Sequence, residues 1–238
     1  MENESSFDVS ILSPITRAGV ILTIERLSCY EKLSGAGFKV STIVPILQKG
    51  PQCGMVALKM ALHCTGCAVD VQDIIEEARS KGFSKQGELY SVSHMADLAN
   101  KFHPGCAKVS DFPSSREFSE KILSGSLILL PYDCDKNCNA VNLNGHKAHW
   151  LLANGIMHVD EEYTGFKALT KTAQFTDENT FVFGYQGKSK FMGLYDYKKL
   201  FESNAQLFEA GPLRSADEYV INNASDLSDL RSKVVIIS

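Results

Sequence analysis

The sequence lacks the features that mark several large function classes. It has no basic run: 24 lysines and arginines stand against 28 aspartates and glutamates, a net charge of −4. Clusters such as "YKKL" are too short to track a phosphate backbone, so a nucleic-acid partner is not expected. It has no long apolar run. The longest early one, "AGVILTI", falls far below the roughly 20 residues that cross a bilayer, so no membrane partner is expected. The opening "MENESSFDVS" is acidic and polar, unlike a secretory leader. No internal repeat or low-complexity tract occurs. Cysteine is present, but its seven copies are an odd number at irregular spacings, which excludes a complete disulfide framework. Together these absences point to a cytoplasmic protein with reduced thiols.

What remains is a globular composition: 238 residues, 44% apolar and 22% charged, enough to bury a core. Residues 1–40 read as a variable, flexible lead-in, with "LSGAGF" (33–38) as a linker; residues 41–238 read as the folded domain. "CGMVALKMALHC" has the pattern of a buried helix. "VDVQDIIEEARSKGF" is an amphipathic helix with early acids and a glycine stop. "SVSHMADLANKF" is a third helix, capped by Ser91 or Ser93, and "SREFSEKILSGS" a fourth. The period then changes. "LILLPYD", "AHWLLANGI", "TFVFGYQGK", "KFMGLYDY" and the terminal "KVVIIS" read as strands. Helices precede strands, which predicts an α+β fold: an N-terminal helical part packed on a C-terminal antiparallel sheet.

The stretch "KGPQCGMVAL" carries the chemistry. Gly50 and Pro51 force a turn that delivers Cys53 to the start of the first helix. A thiol there meets unpaired backbone N–H groups and the positive end of the helix dipole, which favour thiolate. The same N–H groups can hold an oxyanion, and the Gln48 amide is placed to add a donor. A small buried hydrophobe is the bland alternative for any cysteine. A thiol nucleophile needs a base. His63, His94, His103 and His158 fall in predicted helices, a helix end and a loop, and read as packing or surface residues. His149 stands at the mouth of the strand "HWLLANGI", where a rigid edge can present its ring; His146 is the rival, and Trp150 can shield the pair. Gln186, at the end of the next strand, is a candidate to orient the imidazole, with Asp196 and Asn154 as alternatives. A metal site is a competing use of the pairs Cys64/Cys67, Cys134/Cys138 and His146/His149, but their spacings do not match a zinc finger.

Five segments, "LQKGPQCGMVAL", "QGELYSV", "PYD…GHKAHW", "QGKS" and "DYKKLFESNAQL", occur in this order over about residues 43–208. Together they resemble the actin maturation protease family, papain-like cysteine peptidases related to the C39 peptidases. The resemblance implies a papain-like fold, no cofactor, and a cysteine-type aminopeptidase that removes the N-acetylated first residue (Met or Cys) of immature actin, exposing its acidic mature N-terminus. It places Cys53 as nucleophile, His149 as base and Gln48 as oxyanion donor. The third triad member, Asn or Asp in papain-like enzymes, is met here by Gln186. Lys49, Lys147 and Lys188 are the cations expected near an acidic substrate. Some members carry a proline-rich segment suited to profilin; Pro14 stands alone in the first 40 residues, which argues against direct profilin docking. The alternatives are a zinc-stabilised or catalytically inert interaction module, or another acyl transfer such as deubiquitination or transglutamination.

Overall fold

The computed structural model describes residues 35–161, 163, 165–169, 173–212, 214, 217–221, 223 and 225–238. The lead-in expected over residues 1–34 lies outside the described residues. Where the expected linker enters the described chain it is already structured. Strand β1 (Gly35–Val40) carries fully buried Ala36 and Phe38 and pairs with two other strands. The linker reading fails because two glycines in four residues resemble a flexible segment, whereas here they alternate with core side chains.

The remaining elements are α1 (Cys53–Cys64), α2 (Val71–Ser80), α3 (Val92–Phe102), β2 (Ala107–Asp111), α4 (Ser115–Leu123), β3 (Leu127–Cys134), β4 (Ala140–Val141), β5 (Ala148–His158), β6 (Gly165–Ala168), β7 (Thr180–Tyr185), β8 (Gly193–Asp196), α5 (Tyr197–Ala205) and β9 (Lys233–Ile237). Nine strands among the described residues form one sheet in the order β2-β9-β3-β5-β1-β6, with β4 beside β3, and β7 joining β5 to β8. The α+β expectation holds. The sheet is antiparallel throughout except for the parallel β1–β6 pair. No helix among the described residues is long and apolar enough to cross a membrane.

Two-residue periodicity divides the core. On β3, Leu127 and Leu129 face a cluster built with α1, α2 and α3. Ile128, Leu130 and Tyr132 face a second cluster built with Phe118 and Ile122 of α4 and Tyr197 and Leu200 of α5. Burial on both faces explains why β3 reads as one unbroken apolar run. Helices thus cover both faces of the sheet. Helix α5 is the one helix missed among the described residues, since "LYDYKKL" merges a strand end into a helix start at Asp196, whose side chain caps α5 by accepting from the Lys199 N–H at 3.1 Å. Helix α1 is apolar nearly all round, with Met55, Leu58, Met60 and Leu62 at most 1% exposed. Each contributes roughly 1.5–3 kcal/mol of burial, which makes α1 a central helix.

A buried carboxylate fixes the approach to β5. Asp133, fully buried near the end of β3, accepts from the backbone N–H of Leu143 at 3.1 Å, Gly145 at 2.7 Å and Lys147 at 2.7 Å, and from Gln206 Nε2 at 2.9 Å. The loop that ends at Lys147 is therefore tied to the sheet one residue before β5 begins. Asp133→Ala leaves three backbone donors without their acceptor, at about 1–3 kcal/mol each when they stay buried. The expected result is a fall in the urea midpoint equivalent to about 3 kcal/mol or more; an unchanged midpoint would remove Asp133 from this role.

Candidate active site

Residues 41–52 run without regular structure up to α1. Gly50 sits at φ +65°, the left-handed region that a glycine enters without penalty, and this turns the chain into the helix. Helix α1 differs from its neighbours at its start. Ser91, Ser114 and Asp196 cap α3, α4 and α5 with side-chain oxygens, whereas Gln52 gives α1 no side-chain cap. The first N–H groups of α1 have no intrahelical acceptor. They open where Cys53 lines a cleft of about 650 Å³ shared with Gln48, His149, Trp150, Lys188 and Arg214.

Helix α1 rides close on β5. A Cβ added to Gly54 would stand 3.1 Å from Trp150 Cδ1, 3.2 Å from its Nε1 and 3.3 Å from Leu89 Cβ, so the absence of a side chain there permits the approach. The Trp150 indole is locked by donating to the Leu89 carbonyl at 2.8 Å. The backbone N–H groups of Trp150 and Gly54 are both directed at the Cys53 sulfur. The sulfur thus sits against the residue that immediately follows His149.

His149 is 5% exposed. Its Nε2 lies 2.6 Å from the Gln186 carbonyl. A carbonyl only accepts, so this nitrogen carries the hydrogen and Nδ1 keeps the lone pair. Tyr132, opposite His149 in the β3–β5 register, packs edge-on with ring centroids 6.1 Å apart. Burial is the main force on the ring. With the nearby positive charges of Lys188 and Arg214, it pushes the imidazole down to about 4, against the opposing pull of the Gln186 carbonyl. The ring is a neutral base at ordinary pH.

The thiol departs from the sequence expectation. Cys53 has a raised pKa because desolvation outweighs the Trp150 and Gly54 N–H groups and the charges of Arg214 and Lys188, all of which pull downward. Helix position favours thiolate, but burial wins and holds the Cys53 thiol above its ordinary range, in the cleft that it shares with the His149 imidazole. Alkylation of Cys53 by iodoacetamide should therefore keep accelerating as pH rises through and above the ordinary thiol range near 8.5. A rate flat between about pH 5 and 8 would instead report a preformed thiolate–imidazolium pair.

The other expected residues divide clearly. Gln48 lines the cleft; its Nε2 donates to the Gly50 carbonyl at 2.7 Å, and its buried Oε1 has no hydrogen-bond partner. Gln186 meets the imidazole through its backbone, while its side-chain oxygen accepts from the Lys188 N–H at 2.7 Å. Asn154 is fully buried and donates to the Ser41 carbonyl at 2.6 Å, and Asp196 caps α5, so neither orients His149. His146 is turned to Glu209, 2.9 Å from its Oε1. His158, expected in a loop, ends β5 and is 2% exposed between Tyr163 and Gln174. Lys147 and Lys188 line the cleft, whereas Lys49 is exposed and does not. Among the described residues no group of three His, Cys, Asp or Glu side chains is placed to hold a metal, so the paired cysteines and histidines do not converge. Sequence reasoning missed Arg214, which no motif flags. It quoted Asp133 within "PYD" without a role.

The arrangement can do acyl-transfer chemistry: a thiol, a fixed imidazole and open helix N–H groups meet in one cleft. A family model described as actin maturation protease-like, C-terminal domain, matches residues 43–157. The actin maturation protease of Mus musculus is 32% identical over 200 residues, covering 73% of this chain and 55% of that protein. That of Danio rerio is 30% identical over 220 residues, covering 81% of this chain and 71% of that protein. This chain thus spans little more than half the length of the mouse relative. The crystal structure of a C39-like peptidase from Bacillus anthracis overlaps at a TM-score of 0.47 and 13% identity, covering 82% of this chain and 94% of that one, too partial a likeness to bear on mechanism. With five segments in register, a matching family model and a fish relative aligned along most of its own length, the chain belongs to the actin maturation protease family.

Proposed function

We propose that this chain is a cysteine peptidase that removes the N-acetylated first residue, Met or Cys, from immature actin. The observation that carries the reading is the Cys53 sulfur at an uncapped helix start, held against the Trp150 N–H in the cleft that also contains His149. The substrate is suggested by the relatives' name, actin maturation protease.

In this mechanism the Cys53 sulfur attacks the carbonyl carbon of the acetylated first residue. His149 Nδ1 takes the thiol proton as the C–S bond forms, because the resting thiol is protonated. The oxyanion is held by the Cys53 backbone N–H and by the second hydrogen of Gln48 Nε2, the first being engaged by Gly50. The C–N bond then breaks, and the imidazolium gives its proton to the leaving amine of the shortened actin. Water, deprotonated by the same nitrogen, attacks the thioester. The N-acetylated amino acid leaves and the thiol is restored. The Gln186 carbonyl keeps Nε2 protonated throughout and so fixes which nitrogen does the work.

Gln48→Ala should lower kcat by about 10²–10³ with little change in stability, as removal of one oxyanion donor does elsewhere; a variant with wild-type turnover would reject that role. The central test incubates the protein and a Cys53→Ala control with acetylated, unprocessed actin and reads the actin N-terminus by mass spectrometry. Loss of one acetylated residue with the wild-type protein alone is the expected result. Unchanged actin in both would overturn the reading.

A further inference from the structure

The chemistry above gives Arg214 no role, and the lysines expected near an acidic substrate do not account for it. Four cations line it, Lys136, Lys147, Lys188 and Arg214, against two carboxylates. Both carboxylates are engaged by backbone N–H donors, although the Lys188 charge also acts on Asp135. Glu88 is 2% exposed and accepts from Ser84 Oγ at 3.1 Å, Lys85 N at 2.9 Å, Gln86 N at 2.7 Å and Val220 N at 2.8 Å. Asp135 accepts from the Asn137 and Asn139 N–H groups, each at 2.8 Å. Among the described residues no carboxylate stands within ion-pair distance of Arg214 or Lys188. The whole chain carries a net charge of −4, so a cationic cleft is a local feature set against the molecule's own sign.

Arg214 is also held in place. Its guanidinium lies over the Tyr219 ring, 4.8 Å from the centroid, and its backbone N–H donates to Gly211 at 2.8 Å. Residues 217–220 are pinned by the Glu88–Val220 bond, by Lys85 Nζ on the Asp217 carbonyl at 3.0 Å and by Gln86 Nε2 on the Glu218 carbonyl at 3.0 Å. Lys188 Nζ donates to the Cys134 sulfur at 3.1 Å. A guanidinium stacked on a ring, with its fork unpaired by carboxylate, is a receptor for one. Both residues line the same cleft as Cys53 and His149, and their charges act on both groups.

We propose that Arg214, seconded by Lys188, determines specificity by selecting a peptide that carries carboxylates next to the bond being cut. The position "next to the bond" rests on the peptidase reading; the preference for an acidic peptide rests on the cleft's charge and geometry.

The test separates the two. Two dye-labelled acetyl-methionyl peptides, one continuing with three aspartates and one with three asparagines, are titrated into the Cys53→Ala chain by fluorescence anisotropy. The acidic peptide should bind about tenfold tighter or more, the range of a charge-assisted hydrogen bond. That ratio should fall severalfold in Arg214→Gln, more weakly in Lys188→Gln, and below one in Arg214→Glu. It should also shrink towards one between about 50 mM and 500 mM salt in the chain with Arg214 intact, a readout that needs no variant to fold. Equal affinities, no measurable binding of either peptide, or a ratio insensitive to salt and to a folded Arg214→Gln would overturn the proposal. If the ratio behaves as stated but the chain with Cys53 intact cuts neither peptide, the peptidase reading fails and the acidic preference stands.

Discussion

Acetylated, unprocessed actin incubated with the Cys53→Ala protein should keep its N-terminal mass unchanged, over times in which the wild-type protein should, on the proposed function, convert it fully. The expected loss in kcat is on the order of 10⁶, the scale on which hydrolases lose turnover when the nucleophile is removed. Nothing else in the cleft can replace the sulfur. Cys134 lines the same cleft, but it is 5% exposed at the end of β3 with Lys188 on its sulfur. Stability should barely move. Cys53 as a whole is of intermediate exposure although its sulfur is desolvated, and its side chain caps nothing, so the change should cost about 1 kcal/mol. Unchanged unfolding with abolished conversion would assign the loss to chemistry. Conversion at even a tenth of the wild-type rate would remove Cys53 from the nucleophile's place.

His149→Ala should be nearly as damaging at neutral pH, with a loss of about 10⁴-fold or more, and its pH dependence is diagnostic. In the wild-type protein the imidazole is neutral above about pH 4. The base is therefore ready across the physiological range, and kcat/KM should rise through about pH 4 and then stay level. Without the ring nothing takes the proton from a thiol whose pKa burial has raised. Residual activity must then wait for direct ionisation and should climb with pH well into the alkaline range. The sign follows from the two shifts: a depressed imidazole widens the working range on the acid side, and a raised thiol makes the protein depend on that imidazole. A variant whose residual activity is flat from pH 6 to 10 would contradict this division of labour. Because the change also strips the Gln186 carbonyl of its donor, about 1–3 kcal/mol of stability should go with it, which a urea titration separates from the catalytic loss.

Much of this arrangement was legible in the residues. The α1 helix announces itself by its Ala, Leu and Met content behind a glycine–proline turn, and β3 and β5 by continuous apolar runs. Those two signals place a cysteine and a histidine at the ends of elements that must pack together. Three kinds of information were not legible. Gln186 was a candidate orienting side chain, but its backbone carbonyl meets the imidazole, and a main-chain group leaves no trace in residue identity. The thiol's protonation depends on desolvation in a cleft whose walls, Trp150, Leu89, Arg214 and Tyr219 among them, meet only in the folded chain. Arg214 lies in "PLRSADEY", where neither periodicity nor a motif singles it out; only the long excursion between α5 and β9 carries it to the cleft. Strand β1 and helix α5 were lost for a local reason. Glycine-rich strands imitate linkers, and Asp196 ends a strand and caps a helix within one residue.

Gly54 gives the cleft a further property. The gap between α1 and β5 is set there by a hydrogen atom meeting the edge of an indole, so the spacing of sulfur and ring is inherited from the main chain and not from the momentary rotamer of any neighbour. A methyl group at that position would act as a shim, prising helix and strand apart by a few tenths of an ångström while leaving every reactive atom chemically intact. Variation among relatives should accordingly be freer in the walls that touch substrate than at this one silent position.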